Sequence, residues 1–280
     1  MRSTLTAFVF AAAIFVAGVA TAVAQPANGN GSGGAVAEPA TRAALPYAAG
    51  EVLTYEGKLS KFISGISVAE LTFTVEDTPD PEKLFVRAEA KSKGALLWLL
   101  RFSFLQQIDS TMDRDSQFAL LTEKHDVQKE RVRNSKAEFD YDEQRVTYIE
   151  TDPNEPMRPP RMIASDMSGE TFDLVSGIYR LRTLPLEVGK TFELSVSDSG
   201  LVYKVPVTVT GKETIKTDIG RVSCFVVEPQ IFGGEGSLIE REGSMVIWIT
   251  DDARRIPVRS QVKASIGKLD IRIRSVKSAP

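Results

Sequence analysis

The sequence predicts a mainly β fold, a large curved antiparallel sheet rolled into a half-barrel or barrel and carrying one or two short helices. Apolar and polar residues alternate with period two from Glu51 onward, and about a dozen such runs follow at close spacing. The turns between them are too short for parallel crossovers, so neighbouring strands pair antiparallel, and a sheet of that size curls to remove its edges.

Before the strands begin, the chain reads as an export signal and a tether. Arg2 precedes an apolar stretch from Leu5 to Val23, and Ala22-Val23-Ala24 supplies the small residues that a signal peptidase reads, so residues 1–24 are expected to be removed before Gln25. A retained membrane anchor is the competing reading, but no basic stop-transfer cluster follows. No cysteine lies near the cut to accept a lipid. Residues 25–44, rich in Gly, Ala, Pro, Asn and Ser, have little to bury and read as a flexible linker. Residues 45–280 read as a single β-rich domain in the periplasm or outside the cell, without an integral span once the signal is cleaved.

Within that domain the alternating runs come in order. Leu53–Leu59 and Ala69–Glu76 flank Ser64-Gly65 as a hairpin, and Leu84–Lys91, Phe102–Met112, Phe118–Asp126, Glu130–Tyr141 and Arg145–Glu150 follow. After a proline-rich loop, Asp152–Pro160, the runs resume at Thr191–Val196, Val202–Thr210, Val222–Pro229, Ser244–Thr250, Val258–Ala264 and Lys268–Val276. Two segments depart from the pattern. Gly94–Arg101 is continuously apolar, and Thr171–Leu184 places Phe172, Leu174, Val175, Ile178, Tyr179 and Leu181 at helical spacing, with Thr171 or Asp173 as its cap.

Composition excludes several chemistries. The formal net charge is −3, or −4 once Arg2 is lost with the signal, and signs are interspersed, which argues against nucleic acid. The basic clusters Lys129–Arg133 and Arg272–Arg274 read as solvated strand faces. One histidine, His125, sits among charged neighbours and points at water; with one cysteine beside it, no ordinary metal site can be built, and no cofactor is implied. Cys224 lies in an apolar run and is expected to be buried. No nucleophile elbow is present, and Phe232–Gly236 lacks the context of a phosphate loop. Asp251-Asp252 after Trp248 could serve glycoside hydrolysis, but Thr250–Ala253 reads better as a hairpin turn whose Asp side chains satisfy local amides.

Apolar surplus stands out instead. Leu96, Leu97, Trp98, Leu99, Leu100, Phe102, Phe104 and Leu105 need cover on several sides, either as a plug in the concave sheet or as a lid over an apolar groove.

The motifs Gly50-Glu51-Val52-Leu53 with Tyr55, Phe139-Asp140, Asp173–Arg182, Gly220 with Cys224, Val246–Val258 and Gly267 resemble a bacterial family of exported proteins known as domain of unknown function 3108. The resemblance spans Tyr47 to Lys277 and implies an extracytoplasmic location without an established reaction. In general architecture the chain also looks like the curved-sheet lipoprotein carriers of the periplasm, a likeness of fold alone. Arg180 and Arg182 point to different sides of their helix, so one is expected to pair with Asp173 or Asp251 while the other meets an anionic ligand group.

The leading expectation is a non-enzymatic envelope protein that binds an apolar or amphipathic ligand, such as a lipid, or an envelope-assembly partner on its concave face. Leu97, Trp98, Phe104, Arg180, Arg182 and Trp248 are its candidate ligand-binding residues. The alternatives are a hydrolase or lyase acting on envelope polysaccharide through carboxylates near Trp248, and a purely structural interaction protein with a solid interior.

Overall fold

The structure, a computed structural model, describes residues 45–60, 65–93, 102–265 and 267–278. The signal and linker, the Gly94–Arg101 segment expected as a short helix, and the ligand-binding candidates Leu97 and Trp98 lie outside the described residues.

One antiparallel meander runs through β1 (Val52–Ser60), β2 (Ile66–Asp77), β3 (Lys83–Ser92), β4 (Phe104–Asp113), β5 (Ala119–Gln128), β6 (Arg131–Asp140), β7 (Arg145–Thr151) and β8 (Arg161–Asp166). After the short β9 (Thr171–Phe172) and the helix α1 (Leu174–Thr183), a second meander runs through β10 (Thr191–Asp198), β11 (Leu201–Thr217), β12 (Gly220–Pro229), β13 (Gly243–Thr250), β14 (Pro257–Ala264) and β15 (Gly267–Lys277). The meanders join where β1 pairs antiparallel with β15, giving one sheet of 15 strands that ends on β8 and β9. It is the curved antiparallel sheet that the alternation predicts.

Alternation dictates the faces. Along β3, Leu84, Val86, Ala88 and Ala90 are fully buried, while Lys83, Phe85, Arg87 and Glu89 are not. β8 was not among the predicted strands; it follows the proline-rich loop, and its residues are largely exposed, leaving little alternation to read. β11 runs past the predicted Thr210 to Thr217 because its last residues are polar on both faces.

Register shifts in β1, β4, β11 and β13 bend the sheet. The bending brings β11 into contact with β8 although no ladder joins them. The contact is close because of Gly200: its φ of +83° makes the turn between β10 and β11, and a Cβ there would stand 2.6 Å from Tyr148 Cβ and 3.0 Å from Ile163 Cβ. The sheet is therefore open in hydrogen bonding but nearly closed in packing, along a seam between the β10–β11 turn and β7–β8.

α1 lies within the curl against β3, β4, β9 and β10. Its start is a capping box: Asp173 Oδ1 accepts from the amides of Val175 (2.8 Å) and Ser176 (2.7 Å), and Ser176 Oγ accepts from the Asp173 amide (2.9 Å). Leu174, Val175, Ser176, Gly177, Tyr179, Leu181 and Arg182 are all buried, so this helix is covered nearly all round and fills the concave face.

Candidate functional site

Because all neighbouring strands but β9 and β10 are antiparallel, the N-terminus of β1 and the turns after β4, β6 and β13 share one rim, and the turns after β5, β7, β10 and β12 share the other. The two ends of the barrel differ in chemistry.

At the first rim a buried ion pair locks the structure. Arg182 donates to both oxygens of Glu51, at 2.5 and 2.9 Å, and also to the carbonyls of Pro46 (3.2 Å) and Arg254 (3.0 Å). Its guanidinium lies over the rings of Tyr47 and Tyr179, and the Tyr55 hydroxyl donates to the Pro257 carbonyl. Burial works against the charge of Arg182, but the hydrogen bonds and charge of Glu51 outweigh it and hold the guanidinium protonated. Burial also pushes the Tyr47, Tyr55 and Tyr179 phenols upward, so all three remain neutral. The pieces of sequence that carry the family resemblance, Glu51, Tyr55, Arg182, Arg254 and Pro257, thus meet in one structural latch.

The expected partner of the arginines is corrected by this geometry. Neither Arg180 nor Arg182 pairs with Asp173 or Asp251: Asp173 is occupied by capping α1 and by the Thr122 hydroxyl, and Asp251 takes Lys212 (2.6 Å) and Arg255 (3.4 Å). Arg180 instead lies over Phe172 and approaches Glu170 at 3.9 Å. The other candidates are also engaged in the fold. Phe104 packs in the main core; Trp248 is buried, donates from Nε1 to Glu213 (2.7 Å) and carries Arg259 on its ring. Asp252 binds Arg254 and the Thr250 hydroxyl within the β13–β14 turn, and these contacts hold its carboxyl below the ordinary range although burial opposes them.

The described cleft lies elsewhere, between the N-terminus of α1, the inner face of β4–β7 and the β10–β11 turn. It is small and partly open to solvent, with a cavity volume of about 30 Å³. Two cross-strand rows supply one wall, Ile108–Lys124–Ser135 and Thr122–Ala137–Tyr148, with Phe139 beside them. Asp173 and Leu174 of the helix start, and Ser197, Asp198 and Ser199 of the turn, supply the other. The lining is divided between apolar surface and hydroxyls, with a lysine and two carboxylates.

Its polar groups are unequally satisfied. Asp173 is saturated by the cap and by Thr122 (2.6 Å). Lys124 makes no ion pair or hydrogen bond among the described residues, and the buried Ser197 hydroxyl has no partner there. Asp198 accepts from Ser199 Oγ (3.3 Å) and from the Ser199 backbone amide; burial raises its carboxyl above the ordinary range, with the Lys124 charge, these hydrogen bonds and the Arg161 charge opposing the rise. Lys124 and Ser197 thus remain open to further hydrogen bonding in a concave place, which makes it the candidate site.

Sequence reasoning missed these residues, although it contained a pointer to them. His125 sits on the outer side of β5 beside Asn134, so Thr122, Lys124 and Asp126, of opposite parity, must turn inward. Asp198 gave no such signal, since Ser197–Gly200 reads as a solvated hairpin turn and only the seam encloses it.

Among the described residues no cluster of His, Cys, Asp or Glu could hold a metal ion, and no helix is long and apolar enough to cross a membrane. No curated protein matches the chain. A solved structure, the beta-barrel-like protein of domain of unknown function DUF1849 from Brucella abortus, is similar in fold: TM-score 0.56 at 8% identity, covering 84% of this chain and 99% of that one. The model of the family described as protein of unknown function (DUF3108) matches residues 53–274, and the chain belongs to that family.

Proposed function

We propose that this is an exported, non-enzymatic binding protein of the cell envelope, which holds an amphipathic ligand in the cleft between α1 and the inner face of β4–β7. The observation that carries this reading is the cleft's divided lining: only the edges of the buried Ile108, Phe139 and Leu174 reach it, beside Lys124 and the unpartnered Ser197 hydroxyl, so it suits the end group of a ligand whose remainder lies outside. A ligand with an apolar part and a polar end satisfies both at once. The interior supports this over a wholly solid filler role, since packing is continuous around Arg182 but gives way to the cleft beyond the start of α1. The hydrolase alternative finds less support, because Asp251 and Asp252 are already committed to Lys212, Arg255 and Arg254. The export signal read in residues 1–24 supports a role in the periplasm or beyond.

Mass spectrometry of the protein purified from its native envelope without detergent tests the proposal. An amphipathic molecule should be carried in near-stoichiometric amount, and widening the polar wall with bulk, as in Ser135→Trp, should empty the cleft. Protein that carries no such molecule, and takes up none when amphiphiles of every charge type are offered, refutes it.

A further inference from the structure

We infer that the cleft recognises a zwitterionic group, an anion and a cation a few bonds apart, with Lys124 receiving the anion and Asp198 the cation. This rests on the binding role proposed above and specifies its chemistry. Lys124 and Asp198 carry opposite charges on facing walls of one cleft, yet they form no ion pair with each other or with any other described residue. Burial works against the Asp198 charge and the Lys124 charge across the cleft offsets it only in part, so a ligand bearing the reverse pair can meet both groups directly. A singly charged ligand neutralises only one. An anion drawn to Lys124 faces repulsion from Asp198 and from Asp173 on the same wall, while a cation drawn to Asp198 faces Lys124. Arg161, close enough to act on Asp198, adds to that penalty.

The hydrogen-bonding groups agree with this assignment. Ser197, which is 4% exposed and has no partner, stands next to Asp198 in the β10–β11 turn, and Ser135 lies opposite Lys124 in the β5–β6 ladder. Ser197 offers a free hydroxyl, suited to orient the polar linker between the ligand's charges, while Ser135, beside Lys124, is shared with the Tyr148 phenol. Burial has raised the Asp198 carboxyl, and a bound cation would return it toward the ordinary range.

The experiment is calorimetric titration of the full mature chain with octyl phosphocholine, octyl sulfate and octyltrimethylammonium, each below its micelle-forming concentration, and with phosphocholine lacking the chain. Octyl phosphocholine should bind at least about tenfold more tightly than either singly charged amphiphile. Lys124→Gln should then shift preference toward octyltrimethylammonium, and Asp198→Asn toward octyl sulfate. Equal binding of the three amphiphiles, or preference of the unaltered protein for a singly charged one, overturns the zwitterion assignment while leaving the binding role standing. Absence of binding by every amphiphile overturns the binding role itself. Phosphocholine that binds as tightly as its octyl form supports the zwitterion but removes the apolar half of the ligand, whereas a need for the chain supports both. The comparison among ligands on the unaltered protein keeps the test decisive even where a variant fails to fold.

Discussion

Arg182 and Glu51, 131 residues apart in sequence, form a two-pronged buried ion pair that ties the end of α1 to the first residue before β1. The pair also fixes the Pro46 and Arg254 carbonyls, so four separate segments depend on one guanidinium. Removing one partner leaves a buried charge with nothing to balance it, and Glu51→Ala is expected to lose about 3–5 kcal/mol of stability. Urea unfolding of Glu51→Ala, Arg182→Met and the double variant checks this. The double variant should lose less than the sum of the singles, since it buries no orphaned charge; strict additivity would show that the two residues act independently.

Gly200 makes a second prediction, about the seam. Gly200→Ala places a Cβ at 2.6 Å from Tyr148 Cβ while forcing alanine into a left-handed backbone, and the combined cost is expected at about 2–4 kcal/mol. Gly189 provides the control, because its φ is similarly positive at +89° and an added Cβ there meets nothing within 4 Å. Gly189→Ala should cost about 1 kcal/mol from backbone strain alone. Equal losses in thermal or urea melts would mean that the turn does not press on β7 and β8.

The contrast between Gly200 and α1 shows which parts of the molecule its sequence discloses. α1 was legible because its apolar spacing and the cap at Asp173 are local, and so were the strands whose alternation sets one face against the core, β3 above all. The seam was not, because it depends on the accumulated bending of a 15-strand sheet, which brings Gly200 to Tyr148 although no ladder joins their strands. The cleft inherits that opacity. Lys124 could be placed inward by parity with His125, but nothing local to Ser197-Asp198-Ser199 reveals that the turn is covered. The arginines misled for a related reason: charge on a helix suggests a nearby carboxylate or a ligand, whereas Arg182 finds Glu51 through tertiary packing.

Cys224 is expected to be inert in the native state. Its side chain is fully buried, and burial, reinforced by the charges of Asp252, Asp251 and Glu213, pushes the thiol up to about 12, far from the thiolate needed for attack. A disulfide reagent such as dithionitrobenzoate at neutral pH should label the folded protein slowly, at the rate of unfolding, and label it at once in urea. Rapid stoichiometric labelling of the folded chain would place Cys224 at the surface. The result also bears on export, since a lone thiol in an oxidising compartment avoids intermolecular disulfides only if it is hidden.

Asp198 should show the signature of a group kept for binding at some expense to stability. Its carboxyl is raised in the folded state, so the folded protein binds that proton more tightly than the unfolded chain does. Stability contributed at this position therefore falls as pH rises from the ordinary carboxylate range through the raised value, and is level above it. Asp198→Asn removes that dependence. The variant is expected to gain about 0.5–2 kcal/mol at about pH 8, with the gain shrinking toward zero as the pH drops to about 3, below the ordinary aspartate value, where the native side chain is mostly protonated in both states. Urea unfolding of the two proteins at both pH values measures this directly. A variant less stable than the native chain at the higher pH, or a gain that does not change with pH, would show that Asp198 is paired within the fold; the expected result, stability gained together with altered ligand preference, separates a binding carboxylate from a structural one.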